Sequence, residues 1–455
     1  MRTVPFFSLP RAETSMFGTS GIRGPVGKDV TAGLALSVGR ALGVETDRVV
    51  VGRDPRESGQ FLTDALTAGL RESGTDVLEL GVAATPTIAR AVAWEDADAG
   101  VAITASHNPA PDNGIKLWQP SGQAFDDAMQ DRIAERIDSE EVDLRPWDEL
   151  GARETATARQ RHVEAIADAV DIEDPPSIVV DLGNGAGGVS VDTLQALGCS
   201  VETLNAQPDG SFPGRPSEPT AEHCESLAEL VGASDADLGI AHDGDADRMR
   251  AVTGDGEFVS GDVLLAILAR EAAEPGQRVA VPVDTSMAVD DHLAAIDVAV
   301  TRTRVGDVYV AERVTEPDVA FGGEPSGAWI WPEATLCPDG PLAAAKLAAL
   351  AGERSLDARV ADIETYPIER ESLDVSEKTA VMERVTESVT EAYDDVMTLD
   401  GVRVALADGW FLIRASGTQP LVRVTAEARD SEQARTYLTE AKSIVEDARD
   451  ATTKT

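Results

Sequence analysis

What this 455-residue chain has little of narrows its function before any motif is read. Its three cysteines, Cys199, Cys224 and Cys337, are odd in number and lack the close spacing of a zinc or redox centre, so they read as buried reduced thiols. No apolar run approaches the ~20 residues that a membrane-spanning helix needs. The opening stretch MRTVPFFSLPRAETS has one early arginine but neither a sustained apolar region nor a small-residue cleavage site. It does not read as a secretory signal, and the cytoplasm is the expected location. Lysine is confined to six positions: 28, 116, 346, 378, 442 and 454. Against 39 basic residues stand 81 acidic ones, a net charge of −42 spread along the chain. Such a surface repels nucleic acid and anionic membrane at ordinary salt, and neither is expected as a partner.

Self-repulsion of this size destabilises a compact state unless it is screened, and at molar salt the Debye length is only about 3 Å. The composition resembles that of halophilic proteins, and a salt-adapted cytoplasm is expected. On so acidic a chain, any basic residue kept in a loop is informative.

The length exceeds what one hydrophobic core supports; at ~100–200 residues per domain, three or four domains are expected. Short β-branched runs alternate with helical periodicity, the pattern of βαβ units in parallel or mixed sheets. RVVVGRD (48–54) starts one such run, which ends at the strand GVAIT and the loop TASHNPAPDNGIKLW (104–118). A Pro- and charge-rich passage follows. The pattern restarts at SIVVDLG (177–183) and ends at HDGDADR, then restarts at RVAVPVD (278–284) and ends at GGEPSGAW. The three runs look like one design used three times. The last block differs: GVRVALADGWFLIRAS and LVRVTAEA read as adjacent strands before a helix with one apolar face, which is an antiparallel sheet with a packed helix.

Each block ends in a loop able to do chemistry. Asp243, Asp245 and Asp247 alternate in HDGDADR, and three close carboxylates suit a hard cation such as Mg²⁺. An EF-hand is excluded, because Arg248 and Gly254 stand where Gly and Glu are required. Arg248 beside the aspartates suits a phosphate. In RASGTQP, Arg414, Ser416, Gly417 and Thr418, with Arg423 following, make a phosphate cradle of backbone N–H groups, hydroxyls and guanidinium forks. Glu324 and Ser326, set between glycines, suit sugar hydroxyls. In the first loop, Ser106 and His107 are adjacent, so in extended chain they point to opposite sides, and no G-x-S-x-G elbow is present. The serine is placed to carry a phosphoryl group, with Lys116 supplying positive charge or a proton. Asn113-Gly114 has the form of a hairpin turn.

A rival reading rests on DLGNGAGG, which places Gly183-x-Gly185-x-x-Gly188 between a strand and a helix, with Glu202 near the position of a ribose-binding acid. It would make the chain an NAD-dependent dehydrogenase, and it leaves the aspartate and arginine loops unexplained. A non-enzymatic sugar-phosphate sensor would keep the binding loops but would not need Ser106, Lys116 and all three aspartates together.

With FGTSGIRG, these motifs in this order resemble the α-D-phosphohexomutase superfamily of phosphoglucomutases, phosphomannomutases and phosphoglucosamine mutases. The resemblance implies three α/β domains with mixed sheets (1–152, 153–255 and 256–366). A C-terminal α+β, TATA-box-binding-protein-like domain (367–455) completes the set around a central cleft. It implies that Ser106 is a phosphoserine and that Asp243, Asp245 and Asp247 hold one Mg²⁺ per chain together with it. His107, Lys116 and Arg23 match positions at the reacting group. Arg248, Glu324, Ser326, Arg414, Ser416, Gly417, Thr418 and Arg423 match the substrate site. A hexose 1,6-bisphosphate would be intermediate and activator, turning around in the cleft between two phosphoryl transfers, and the chain would be a monomer or homodimer. Ala105 and DNGIK look like the phosphoglucosamine branch, so glucosamine 6-phosphate to glucosamine 1-phosphate is the expected reaction. Pro325 and Ala328 depart from the glutamine and histidine common in that branch's sugar loop, and mannose and glucose phosphates are the alternatives. The motifs begin just after Met16, so residues 1–15 are expected to be a disordered extension or a misplaced start.

Overall fold

The computed structural model describes residues 16–18, 21–139, 142–416 and 420–453. The expectation for residues 1–15 lies outside the described residues, as do Gly417 and Thr418.

Four sheets follow one another along the chain. The first holds β1 (Ile22–Pro25), β2 (Arg48–Arg53), β3 (Asp76–Val82), β4 (Ala99–Ile103), β5 (Asp112–Trp118) and β6 (Arg153–Thr155), in the order β1-β5-β4-β2-β3-β6. The second holds β7 (Ser177–Asp181), β8 (Ser200–Leu204), β9 (Leu238–His242) and β10 (Met249–Thr253), in the order β10-β9-β7-β8. The third holds β11 (Arg278–Pro282), β12 (Ala299–Thr303), β13 (Val319–Gly323) and β14 (Trp329–Ile330), in the order β12-β11-β13-β14. The fourth is antiparallel: β15 (Ile368–Asp374), β16 (Val396–Met397), β17 (Val402–Leu406), β18 (Gly409–Ala415) and β19 (Leu421–Ala428).

The first three sheets share one topology. The series β3-β2-β4-β5 in the first recurs as β8-β7-β9-β10 and as β12-β11-β13-β14, three parallel strands and then one antiparallel. Helices cover their faces, so strands such as Val49-Val50-Val51 and β9 are buried throughout and read as apolar runs. In all three units the connection from the third strand to the antiparallel fourth carries candidate site residues: Ser106, the three aspartates, and Glu324 with Ser326.

Three local readings change. β6 pairs with β3 beyond residue 152, because Val77 donates to the Ala152 carbonyl and the Asp76 side chain accepts from Ala152 N–H, extending the first sheet through the charge-rich passage. The stretch 402–415 is two strands, with Leu406 paired to Gly409 across a two-residue turn. Asn113-Gly114 is no turn: both residues lie in β5, between β1 and β4. A Cβ on Gly114 would come within 2.4 Å of the Ile22 carbonyl and 2.6 Å of the Thr104 carbonyl, so the glycine serves close strand approach.

The core is divided unevenly. Val49, Val51, Leu62, Leu66 and Ile103 belong to a cluster under the first sheet. One continuous cluster spans the second and third units, joining Ile178, Leu194 and Ile240 to Leu264, Phe321 and Leu347. The fourth unit has its own cluster, where Ala441, Val445 and Ala448 of the helix Ser431–Thr453 face Val402, Phe411 and Val424. It meets the third unit at Trp410 and Leu412, which pack on Val283. There the buried Glu427 carboxylate accepts from Met287 N at 2.8 Å, from Trp410 Nε1 at 2.5 Å and from Ser286 Oγ. The three cysteines are buried and free. Among the described residues no helix is long and apolar enough to cross a membrane.

Candidate active site

Ser106 follows β4 and is held from several sides. Its backbone is left-handed, with φ of 51°, a conformation that costs a non-glycine residue ~1–3 kcal/mol and persists only where surroundings impose it. Those surroundings are visible: Ser106 N donates to Thr104 Oγ1 at 2.8 Å, and its carbonyl accepts from Ser217 Oγ at 2.7 Å and from Arg56 at 2.9 Å. Buried Arg56 uses its five N–H groups on Asp54 and on the carbonyls of Ser106, Asn108, Pro109 and Asp112, which stitches the loop to the strand ends. The Ser106 side chain is buried and donates to Asp243 Oδ2 at 2.5 Å, with Asp247 Oδ1 at 3.5 Å. His107 Nδ1 is 3.4 Å from Ser106 Oγ, so the two side chains share one site. The left-handed turn, absent from an extended chain, brings them together.

Asp243, Asp245 and Asp247 come from the β9–β10 loop, and one oxygen of each lies within 4.8 Å of the others. Thr85 ties this loop to the first unit, donating its hydroxyl to Asp245 Oδ2 at 2.6 Å and its N–H to the Asp245 carbonyl at 2.9 Å. Asp245 Oδ1 is buried with no hydrogen-bond partner. Burial first, then the mutual repulsion of the carboxylates, pushes Asp243 well above the usual range and Asp247 up to about 6. Hard oxygen donors, an orphaned buried oxygen and mutually repelling carboxylates are what a Mg²⁺ site is built from.

Cations ring this cluster. Lys116, on β5, is buried and donates to Asp307 Oδ2 at 2.6 Å, with Asp247 Oδ2 at 3.9 Å. Burial opposes its charge, but Asp307 and Asp247 more than offset that and hold its pKa above the ordinary lysine value. Arg248 N donates to Asp243 Oδ1 at 3.2 Å, and its guanidinium is 4.0 Å from Asp247. Arg23 on β1 has a buried Nε without a partner. The charges of Arg248 first, burial next, and then Arg23, Arg56 and Lys116 depress His107 to about 2, so its imidazole is neutral.

The third unit brings Glu324, which accepts from Gly306 N at 2.8 Å and from Ser326 Oγ at 3.3 Å. Its burial first, and then Asp307, pushes it up to about 7. Backbone pairing of Arg248 with Ala328, and the bond from Met249 N to the Gly327 carbonyl, lock this loop to the aspartate loop. From the fourth unit, Arg414 on β18 pairs with Asp400 at 3.2 Å, and Asp400 also accepts from Val305 N at 3.0 Å. Ser416 is buried, and Arg423 stands exposed opposite Arg414 in the β18–β19 register. These contacts bring Ser106, His107, Lys116, the three aspartates, Arg248, Glu324 and Ser326 together and join Arg414 to the third unit through Asp400.

Family models decide what this constellation belongs to. The phosphoglucomutase/phosphomannomutase alpha/beta/alpha domains I, II and III match residues 14–143, 160–256 and 260–366, and the C-terminal domain matches 371–443. The chain belongs to this family. It is a phosphohexomutase, an isomerase that moves a phosphoryl group on a hexose phosphate. A relative named probable phosphoglucosamine mutase, from Methanopyrus kandleri, is 47% identical over 94% of this chain and 97% of its own length. Another of that name, from Methanococcoides burtonii, is 46% identical over 91% of this chain and 95% of its own. A solved phosphoglucomutase/phosphomannomutase family protein from Burkholderia thailandensis has a TM-score of 0.86 at 27% identity, covering 94% of this chain and 97% of its own.

In this phosphohexomutase the glycines of DLGNGAGG have a packing role. A Cβ on Gly185 would lie 2.7 Å from the Gly244 carbonyl and 2.9 Å from that of Asp243, and Ala186 N donates to the Gly244 carbonyl at 2.9 Å. The turn is therefore pressed against the aspartate loop, where a dehydrogenase would place pyrophosphate. Glu202 lies exposed on β8, the edge strand of its sheet. Sequence reasoning missed Arg56, Asp307, Asp400 and Ser217. Arg56 and Asp307 left a signal: GRDPR follows β2 and VGD follows β12, the same strand-end positions that elsewhere gave the site loops.

Proposed function

We propose that this phosphohexomutase interconverts glucosamine 6-phosphate and glucosamine 1-phosphate through a phosphoserine at Ser106. The observation that carries the phosphoserine reading is the buried Ser106 hydroxyl, 2.5 Å from Asp243 among three carboxylates and four cations, beside a His107 whose depressed pKa of about 2 makes it a poor general base. The choice of glucosamine rests on relatives named probable phosphoglucosamine mutase over nearly the whole chain.

In the first transfer the Oγ–P bond of phosphoserine breaks as a bond from phosphorus to a sugar hydroxyl oxygen forms. The hydroxyl proton leaves and Ser106 Oγ gains one; Lys116, held as an ammonium by Asp307, gives its proton to Oγ and is reloaded by the hydroxyl. Arg23, Arg248 and Lys116 face the charge that spreads over the transferring oxygens, as a loose transition state requires. Asp243, Asp245 and Asp247 would hold Mg²⁺, which when bound supplies positive charge against the phosphoryl group. Glu324 and Ser326 orient the sugar hydroxyls, and Arg414, Ser416 and Arg423, with Gly417 and Thr418, hold the second phosphate. The bisphosphate turns around, and the second transfer runs back to Ser106.

The test is turnover of the purified phosphoprotein on glucosamine, mannose and glucose 6-phosphates, with peptide mapping of the phosphate. The expected outcome is the highest kcat/KM on glucosamine 6-phosphate, phosphate on Ser106, and loss of most turnover in Ser106→Ala. Active, fully phosphorylated protein with unmodified Ser106 would sink the mechanism.

A further inference from the structure

β12, β11 and β13 are adjacent and parallel, so their carboxyl ends lie side by side with β11 in the middle. Each end delivers a carboxylate within four residues of its strand: Asp284 after β11, Asp307 after β12 and Glu324 after β13. Two of the three are committed. Asp307 holds Lys116 at 2.6 Å, and Glu324 takes the Gly306 N–H and the Ser326 hydroxyl. Among the described residues no hydrogen bond or ion pair from another residue reaches the Asp284 carboxylate. Its backbone is fixed all the same. Val283 N donates to the Thr303 carbonyl at 3.0 Å, Arg302 reaches the Pro282 and Thr285 carbonyls, and Ser286 N is held by Asp262 at 2.8 Å.

Asp284 is also electrostatically central. Its negative charge is felt by Glu324 on one side, and on the other it feels Arg414 of the fourth unit, whose guanidinium is already paired with Asp400 at 3.2 Å. It therefore lies within electrostatic reach both of a residue proposed to read the sugar hydroxyls and of one proposed to hold the non-reacting phosphate. A rigid, half-buried carboxylate that feels Arg414 and Arg370 but is hydrogen-bonded to neither has acceptor capacity to spare and favours a cationic neighbour over a neutral or anionic one.

We propose that Asp284 is the specificity-determining residue that accepts the ammonium group of a 2-amino sugar phosphate. The inference rests on the glucosamine reading and says which side chain enforces it. A hexose with a hydroxyl at that carbon leaves the carboxylate without its cation, and the charge-assisted bond it forgoes corresponds to roughly 10–100-fold in kcat/KM.

The experiment measures kcat/KM on glucosamine 6-phosphate and glucose 6-phosphate for the full-length phosphoprotein, for Asp284→Asn and for Asp284→Ser. The second, smaller substitution guards against a local packing fault in the first, and thermal unfolding checks that both fold. The expected result is that preference for the amino sugar falls roughly 10–100-fold in both variants, through loss on glucosamine 6-phosphate. A parent that prefers the amino sugar, with variants that keep the ratio, overturns the role of Asp284 alone. An equal loss on both sugars does the same, since it would mark Asp284 as a support for Arg414. A parent without the preference overturns the glucosamine reading and this inference with it.

Discussion

Glu324 shows how one buried residue ties stability to pH. Its ordinary pKa of 4.5 is raised to about 7 in the fold, by burial and by the nearby Asp307. Between these values the folded state keeps a proton that the unfolded state has lost. Stability therefore falls as pH rises from about 4.5 to about 7 and levels off above. In ligand-free protein, Glu324→Gln is expected to flatten that part of the profile of Tm against pH, while the parent declines across it. Parallel profiles would show that Glu324 is not the group responsible. Ser106, Lys116 and the aspartates were legible as residues because their chemistry is concentrated in short motifs. Arg56 was not, because its role lies in four bonds to a loop some fifty residues away, and no local pattern records a destination.

At the scale of elements, periodicity and β-branched runs located the strands of the repeated units, and the likeness of the three runs proved to be a shared strand order. What periodicity could not reveal was which glycines turn and which pack. Asn113-Gly114 has the composition of a turn, yet two neighbouring carbonyls leave no space for a side chain there and the chain stays extended. The short edge strand β6 is exposed at all three residues, so it shows no alternation to detect. Gly185 leads to an expectation of its own. In Gly185→Ala the added methyl meets two backbone carbonyls of the aspartate loop, an overpacking fault that costs about 1–3 kcal/mol. Displacement of that loop should also weaken Mg²⁺ binding, so a lowered Tm and a raised Mg²⁺ requirement are expected together. A variant that loses stability but titrates with Mg²⁺ like the parent would show that the turn does not support the loop.

Over the whole molecule the charge of −42 is the dominant fact, and single surface ion pairs, each worth about 0–1 kcal/mol, cannot neutralise it. Lowering salt from 1 M to 0.01 M stretches the Debye length from about 3 Å to about 30 Å and lets the surplus carboxylates repel across the surface. Tm is expected to fall steeply over that range, and an unchanged Tm would remove salt adaptation as the meaning of the composition.

The cluster that joins Ile178 and Leu194 to Leu264 and Leu347 has a consequence for how such a chain can be cut and recombined. A crossover near residue 258 would part side chains that need one another to stay out of water, so the two middle repeats must be inherited as a pair. A crossover near residue 366 would part surfaces joined through the Glu427 contacts and the small Trp410 cluster. The fourth unit is thus the exchangeable cassette, free to bring a different β18–β19 loop to an unchanged set of three.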